Sequence, residues 1–175
     1  MSTYKKISVP LTSAGIETLC RELENYQKWL NERIPVFVEE LAKVGVEVAD
    51  LKYHWAVYDG TNDVAVKMED RGPFCKAVVA VGNATLFIEF GTGVKTWPDN
   101  HPEADKLGMK RGEYGKGNGQ HKAWVYKGEA GSMGLPLDSG RVLTYGNPAN
   151  MSMYQTKQEL CEQFESIARR VFNYA

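Results

Sequence analysis

The sequence has 175 residues, a length that suits one domain, and its hydrophobic fraction of 43% with a charged fraction of 25% is typical of a folded globular protein. Its formal net charge of -1, from 21 Lys and Arg against 22 Asp and Glu, provides no overall attraction to nucleic acid or to anionic lipid. The first residues lack an apolar signal segment, and apolar runs of about eighteen residues are absent, so we expect neither export nor membrane insertion.

The first predicted element is a long amphipathic helix over residues 12–51. Thr12 is a good N-cap, and Leu11 before it is placed to pack on Ile16 and fix the helix start. Pro35 lacks a backbone donor and predicts a kink or a break into two helices. Roughly 35 helical residues span about 50 Å, so we expect part of this segment to meet another subunit. The apolar residues recur at steps of three and four: Ile16, Leu19, Leu23, Tyr26, Leu30, Ile34, Phe37, Leu41, Val44 and Val48.

An antiparallel sheet is predicted over residues 53–90, because the apolar period changes to two after Lys52. Alternating residues on either side of Asp59-Gly60 predict a hairpin. Two further strand-like runs, 74–81 and 84–90, are separated by the tight-turn pair Gly82-Asn83.

A long loop is predicted over residues 91–146, where regular patterns nearly vanish and glycine is abundant. Ordering so much glycine costs conformational entropy, which favours a loop that is ordered against a partner. A terminal amphipathic helix is predicted to open at Asn147-Pro148, a cap followed by proline at the first helical position, and its packing segment is predicted over residues 151–172. Arg169 and Arg170 in its last turn complement the helix dipole.

The residues that could carry chemistry do not form a recognisable catalytic or metal-binding motif. Three cysteines, Cys20, Cys75 and Cys161, lack metal-ligand spacing, and two of them fall on predicted helical stripes, so we expect core thiols. His54 and His121, like the third histidine, lack a second ligand at metal-type spacing. We therefore expect no metal, no cofactor and no enzymatic activity.

Two alternatives remain open. Glu89, next to Phe90 at a predicted strand end, could be a catalytic base paired with a loop histidine in a small hydrolase, an ion-pair partner across an interface, or a solvent-facing residue. A basic loop with interspersed aromatic residues could bind single-stranded nucleic acid by charge and stacking. The loop residues concerned are Lys106, Lys110, Arg111, Lys116, Lys122 and Lys127 with Tyr114, Trp124 and Tyr126.

The most specific motif is the octet of residues 86–93, Leu-Phe-Ile-Glu-Phe-Gly-Thr-Gly. It resembles the strand-and-turn motif of the tail-component or tail-completion family of long-tailed bacteriophages. The likeness continues in order through most of the chain, although this sequence has Asn150-Met151-Ser152 where related sequences usually have Arg-Pro-Phe. The further matching positions are His101-Pro102, Leu107-Gly108, Tyr114, Gly119-Gln120-His121, Trp124-Val125-Tyr126 and Pro148-Ala149.

The resemblance implies a single α+β domain, residues 1–175, that forms a homo-oligomeric ring, commonly a hexamer. Such rings sit at the head-proximal end of the tail and contact the head-connector and the tail-tube or tail-terminator proteins. They are assembled in the bacterial cytoplasm, become part of the virion neck, and touch channel DNA only passively. We expect contacts with neighbouring subunits or neck proteins through the N-terminal helix and through Glu89, Phe90, Gly91, Thr92, Gly93, Trp124 and Tyr126.

Overall fold

The computed structural model describes residues 7–56, 62–93, 101–110, 114, 121–131 and 134–173. The fold is α+β, as the sequence predicts, with two long helices and two small antiparallel sheets in these residues. None of the helices in this part of the chain is both long and apolar enough to span a membrane. The elements are α1 (Ser13–Trp55), β1 (Ala65–Asp70), β2 (Lys76–Val81), α2 (Thr85–Phe90), α3 (Ala104–Leu107), β3 (Trp124–Lys127), β4 (Gly134–Pro136), β5 (Arg141–Thr144) and α4 (Ser152–Val171).

The first helix, α1, begins where predicted, because the Thr12 hydroxyl accepts the Gly15 N–H at 3.1 Å. It runs without interruption through Pro35 for 43 residues, which excludes the predicted break into two helices. The predicted packing of Leu11 on Ile16 is wrong, since Leu11 is 96% exposed.

The helix α1 continues past its predicted end, so the predicted first strand is wrong at Tyr53 and Trp55. Gly45, Ala49 and Tyr53 are buried on the packed face of α1, at steps of four residues. This spacing continues the helical period through Tyr53, although the alternation of apolar residues there suggested a strand. Val57 and the Asp59-Gly60 turn lie outside the described residues.

The strands β1 and β2 form an antiparallel hairpin within the predicted sheet, in the register Ala65 opposite Val81 and Asp70 opposite Lys76. It is not the hairpin predicted around Asp59-Gly60, whose first strand is the end of α1. Residues 84–90 are not a further strand. The Asp63 carboxylate accepts the backbone N–H groups of Asn83 at 2.8 Å and of Ala84 at 3.0 Å, and this turn leads into the helix α2. The prediction failed because one turn and a half of helix is too short to show a helical period.

The helix α4 packs antiparallel along α1. Its start lies beside the end of α1, where the Lys52 ammonium donates to the Gln155 side chain at 2.9 Å. Its end lies near the middle of α1, where Ile167 and Val171 bury Phe37. The helix begins at Ser152, so the predicted cap at Asn147-Pro148 is wrong.

A second sheet, in the order β3-β5-β4, lies within the segment predicted as a long loop. The apolar pair Val142-Leu143 pairs antiparallel with Val125-Tyr126, so these two short apolar patches are strands rather than loop. The prediction that the cysteines are core thiols is also wrong, because Cys20, Cys75 and Cys161 are all exposed. Periodicity alone does not show which flank of a helical stripe a partner helix covers.

Candidate functional site: a buried carboxylate and an exposed helical arm

The carboxylate of Glu89 is buried at the centre of the octet, with 5% of the residue exposed. It accepts the backbone N–H of Met153 at 2.8 Å and of Tyr154 at 3.0 Å. The Tyr53 hydroxyl donates to it at 3.2 Å, and the His101 Nε2 lies 3.1 Å from its other oxygen. Glu89 therefore joins α1, α2, α4 and the segment before α3, and we call these five residues the Glu89 lock.

The main role of Glu89 is to cap α4. The residue at the N-cap position, Met151, has a positive φ of 57° and contributes no side-chain cap. A carboxylate from another element therefore satisfies two N–H groups of the first turn, and its negative charge is favoured at a helix N-terminus. Burial, followed by the nearby charge of Glu89, raises the pKa of Tyr53, so the phenol stays protonated and remains a donor.

The imidazole of His101 is buried and held on both sides. Its Nδ1 accepts the backbone N–H of Glu103 at 3.1 Å, so its Nε2 carries the proton and donates to Glu89. Its ring centroid lies 4.4 Å from that of Phe90 and 5.4 Å from that of Tyr154. With both ring nitrogens engaged inside the protein, His101 has no nitrogen left to exchange a proton with a substrate.

The glycines of the octet allow two backbone segments to touch. The N–H of Thr92 donates to the Asn147 carbonyl at 2.9 Å, and the Asn147 N–H donates to the Thr92 hydroxyl at 3.0 Å. Gly91, at φ 76°, lies so close to this segment that a Cβ would stand 2.7 Å from the backbone nitrogen of Ala149. The glycines are therefore required by close packing as well as by backbone conformation.

The residues predicted to contact neighbouring subunits are placed mostly inside the chain. Glu89, Phe90 and Gly91 are buried, and Thr92 and Gly93 are half-buried against residues 145–147. The sequence placed these residues at the end of a strand, and so at a contact surface, because residues 84–90 were predicted to be extended. Each of these five residues contacts other described parts of the same chain, through its side chain or through its backbone.

The two aromatic residues of the predicted contact set lie on β3. Trp124 is 38% exposed, whereas Tyr126 is half-buried and its hydroxyl donates to the Glu129 carbonyl at 2.8 Å. Trp124 is therefore the member of the set that is most available to a partner in this conformation.

The described parts of the predicted loop do not simply project from the body. The ring of Tyr114 stacks on Phe87 with centroids 6.0 Å apart, and its hydroxyl donates to the Gly91 carbonyl. Tyr114 and His101 thus bring the segment back onto α2. Of the basic loop residues, Arg111 and Lys116 lie outside the described residues.

The N-terminal part of α1 carries exposed apolar side chains. Phe172, just after α4, reaches α1 at Trp29, with ring centroids 6.2 Å apart. Residues 13–28 therefore extend about 24 Å beyond the end of α4, and we call them the arm. None of residues 16–36 is buried, and the arm exposes Ile16, Leu23 and Tyr26.

Comparisons with known protein families, with curated proteins and with solved structures give no significant match to this chain. Within the described residues, no group of three His, Cys, Asp or Glu side chains is arranged to hold a metal ion.

Proposed function

We propose that this protein is a structural subunit of a bacteriophage or prophage virion, a tail-completion or head–tail joining protein that works by self-association into a ring. The observation that carries the proposal is the exposed apolar arm of α1. Leu23 is 51% exposed, and no other described helix or strand buries the residues of α1 around it. An isolated helix of this length gains most of its stability from packing, and an exposed apolar surface of this kind is typical of protein interfaces.

The octet on which the resemblance rests has a physical role that fits an assembly subunit. Glu89 and the glycines fasten α2, residues 91–93 and the start of α4 to the end of α1. The body at the base of α1 is thereby held together by buried polar contacts, and the arm extends from it. A rigid body with a projecting apolar helix is suited to joining copies of itself and neighbouring rings.

The proposed partners are further copies of this chain, in a ring that is hexameric in the family it resembles, together with the head-connector and the tail-tube or tail-terminator proteins. Contact with DNA in the neck channel would be passive. A hydrolase is disfavoured because Glu89 and His101 face each other in the interior and each already has its hydrogen-bond partners there.

Disruption of the gene in its phage or prophage tests the proposal. Electron microscopy of the lysate is expected to show DNA-filled heads and separate tails, and supplying the intact gene in trans is expected to restore joined particles. Light scattering of the purified protein is expected to give a mass several times 19.6 kDa at high concentration. Normal joined particles in the absence of the gene would refute the proposal.

A further inference from the structure

The second sheet has an exposed apolar face. Val125 of β3, Leu143 of β5 and Leu135 of β4 lie opposite one another across the three strands. Because they are cross-strand partners, their side chains leave the same face of the sheet, and we call them the apolar row. Val125 is 49% and Leu135 53% exposed, whereas Val142, whose side chain leaves the other face, is 2% exposed. One face of the sheet is thus buried, and the other presents to solvent an apolar row about 10 Å long.

Two positive charges lie beside the apolar row. Lys127 and Arg141 are cross-strand partners on the same face, about 7 Å further along the strands, and both are exposed. In the described residues neither side chain forms an ion pair, and Arg141 donates to the backbone carbonyl of Asp138 at 3.4 Å. Like charges opposite each other on neighbouring strands repel. This pair, which we call the basic row, therefore favours a partner that brings carboxylates next to apolar side chains.

The arm carries the complementary pattern. Ile16 and Leu23, which are 50% and 51% exposed, lie two turns apart in one row about 10 Å long. Glu17 and Glu24 directly follow them and form a second row about 100° round the helix. Both carboxylates are exposed, and neither forms an ion pair in the part of the chain that the structure describes. Arg21 lies about 160° from Leu23, on nearly the opposite side of the helix.

This flank of the arm differs from the one that has contacts within the chain. Glu22, Tyr26 and Trp29 have further interactions, and Tyr26 stacks on Trp29 with ring centroids 5.6 Å apart. All three lie about 60–120° round the helix from Leu23, on the side away from Glu24. The flank that bears Leu23 and Glu24 is therefore the one available to a partner.

The two surfaces cannot meet within one chain. From Leu23 to Lys52 the helix α1 is about 44 Å long. The second sheet is held near the end of α1, because β5 ends at Thr144 and the Asn150 side chain donates to the Lys52 carbonyl at 3.2 Å. The chain from Thr144 to Asn150 spans at most about 20 Å, and a strand of four residues adds about 13 Å. The arm that reaches this sheet is therefore that of a second copy.

We propose that the arm of one copy binds the exposed face of the second sheet of the next copy, a contact that deepens the self-association proposed above and rests on it. Ile16 and Leu23 cover the apolar row, which has the same length as their own row. Glu17 and Glu24 lie over the basic row. The contact joins unlike surfaces of two copies, so it repeats in one direction and closes into a cyclic ring with unlike ends.

Two variants that each lose one surface test the contact. Leu23→Glu damages the arm and leaves the sheet intact, whereas Leu135→Glu damages the sheet and leaves the arm intact. Each alone is expected to need at least about tenfold more protein to associate, because a carboxylate would be buried against apolar side chains. Mixed in equal amounts, they retain one intact arm and one intact sheet, so light scattering is expected to show a pair of twice 19.6 kDa. Phe74→Glu, at a 57% exposed position in the turn between β1 and β2, is the matched control and is expected to assemble normally.

Exchange of the charges tests which residues face each other. Glu17→Lys/Glu24→Lys and Lys127→Glu/Arg141→Glu are each expected to weaken association by at least about tenfold, because like charges then meet across the contact. The chain with all four substitutions is expected to associate again, since the signs on the two surfaces are exchanged. Circular dichroism checks that each variant keeps its helix content.

The outcomes distinguish this inference from the proposed function. If the unsubstituted protein is an oligomer, three results refute the contact between arm and sheet while self-association stands. They are normal assembly of Leu135→Glu, a mixture of the two Glu variants that stays monomeric, and a fourfold charge exchange that restores nothing. An unsubstituted protein that stays monomeric at high concentration refutes both.

Discussion

The carboxylate of Glu89 lies 2.8 Å from the backbone nitrogen of Met153, 64 residues further along the chain. A helix that lacks a capping side chain of its own is thus capped by the last turn of another helix. Glu89 accepts two N–H groups of the first turn of α4, so this turn depends on one buried side chain from a distant part of the chain.

Replacing Glu89 by Gln is expected to lower the free energy of unfolding by about 1.5–3 kcal/mol. Hydrogen bonds to a charged acceptor are stronger than those to a neutral one, and the Gln NH2 group would replace one of the two accepting oxygens and point at a hydrogen-bond donor. Urea denaturation followed by circular dichroism measures the loss. Glu24→Gln on the exposed arm is the control, expected within about 0.5 kcal/mol of the unsubstituted protein. Equal losses in both variants would contradict the capping role.

The raised pKa of Tyr53 predicts a loss of stability at alkaline pH. Below the ordinary tyrosine pKa of about 10, the phenol is protonated in both the folded and the unfolded chain, and its contribution to stability is complete. Above that pH the unfolded chain loses the proton while the folded chain retains it, so the contribution decreases. Tyr53→Phe is expected to lower stability at neutral pH by about 0.5–1.5 kcal/mol.

Urea denaturation from neutral to strongly alkaline pH tests this sign. Stability of the unsubstituted protein is expected to fall more steeply above the ordinary tyrosine pKa than that of Tyr53→Phe. Parallel curves for the two proteins would show that the Tyr53 hydroxyl titrates alike in the folded and unfolded chains.

Gly91 and Gly108 both have a positive φ, 76° and 67°, but Gly91 is the more constrained of the two. Gly91 has a ψ of 173°, in a region that is essentially restricted to glycine, and it has neighbouring atoms where a Cβ would stand. Gly108 is left-handed, with a ψ of 25°, and has open space there. Gly108→Ala is expected to destabilise by about 1–2 kcal/mol through the left-handed conformation alone. Gly91→Ala is expected to be clearly worse, as thermal denaturation would show. A similar loss at both sites would mean that residues 145–149 can move away.

Neutralising the basic loop tests the nucleic-acid alternative. Lys110→Gln/Arg111→Gln/Lys116→Gln is expected to leave head–tail joining intact in a complementation assay, because the arm rather than these charges carries the proposed assembly. Fluorescence anisotropy with a labelled single-stranded oligonucleotide is the second measurement. Salt-sensitive binding that disappears in the triple variant, together with lost joining, would favour the nucleic-acid role.

The elements that the sequence predicts well are those with many turns or clear alternation. The helices α1 and α4 repeat their apolar residues often enough to fix the helical period, and Val64, Val66 and Met68 alternate at β1. The helix α2 has six residues, of which Ile88, Glu89 and Phe90 are buried in succession, and this pattern fits no single period. Asp63, more than twenty residues earlier, holds the turn from which this segment starts as a helix rather than a strand.

The Glu89 lock was not predictable from spacing. Its donors come from residues 36 before to 65 after Glu89, and two of them are backbone groups that no side chain reveals. The one available signal was the octet itself, in which a carboxylate stands between the apolar residues Ile88 and Phe90. A charged residue in an apolar run of this kind indicates a buried polar contact as readily as an exposed one.

Because Glu89 and His101 bind each other while Glu89 also caps α4, the start of α4 and the residues around His101 form one cooperative unit of local unfolding. The first turn of α4 cannot fray without removing the hydrogen-bond acceptor of the buried imidazole. Amide hydrogens of both segments should therefore exchange with solvent at a common slow rate, whereas those of the arm exchange faster until a second chain protects them.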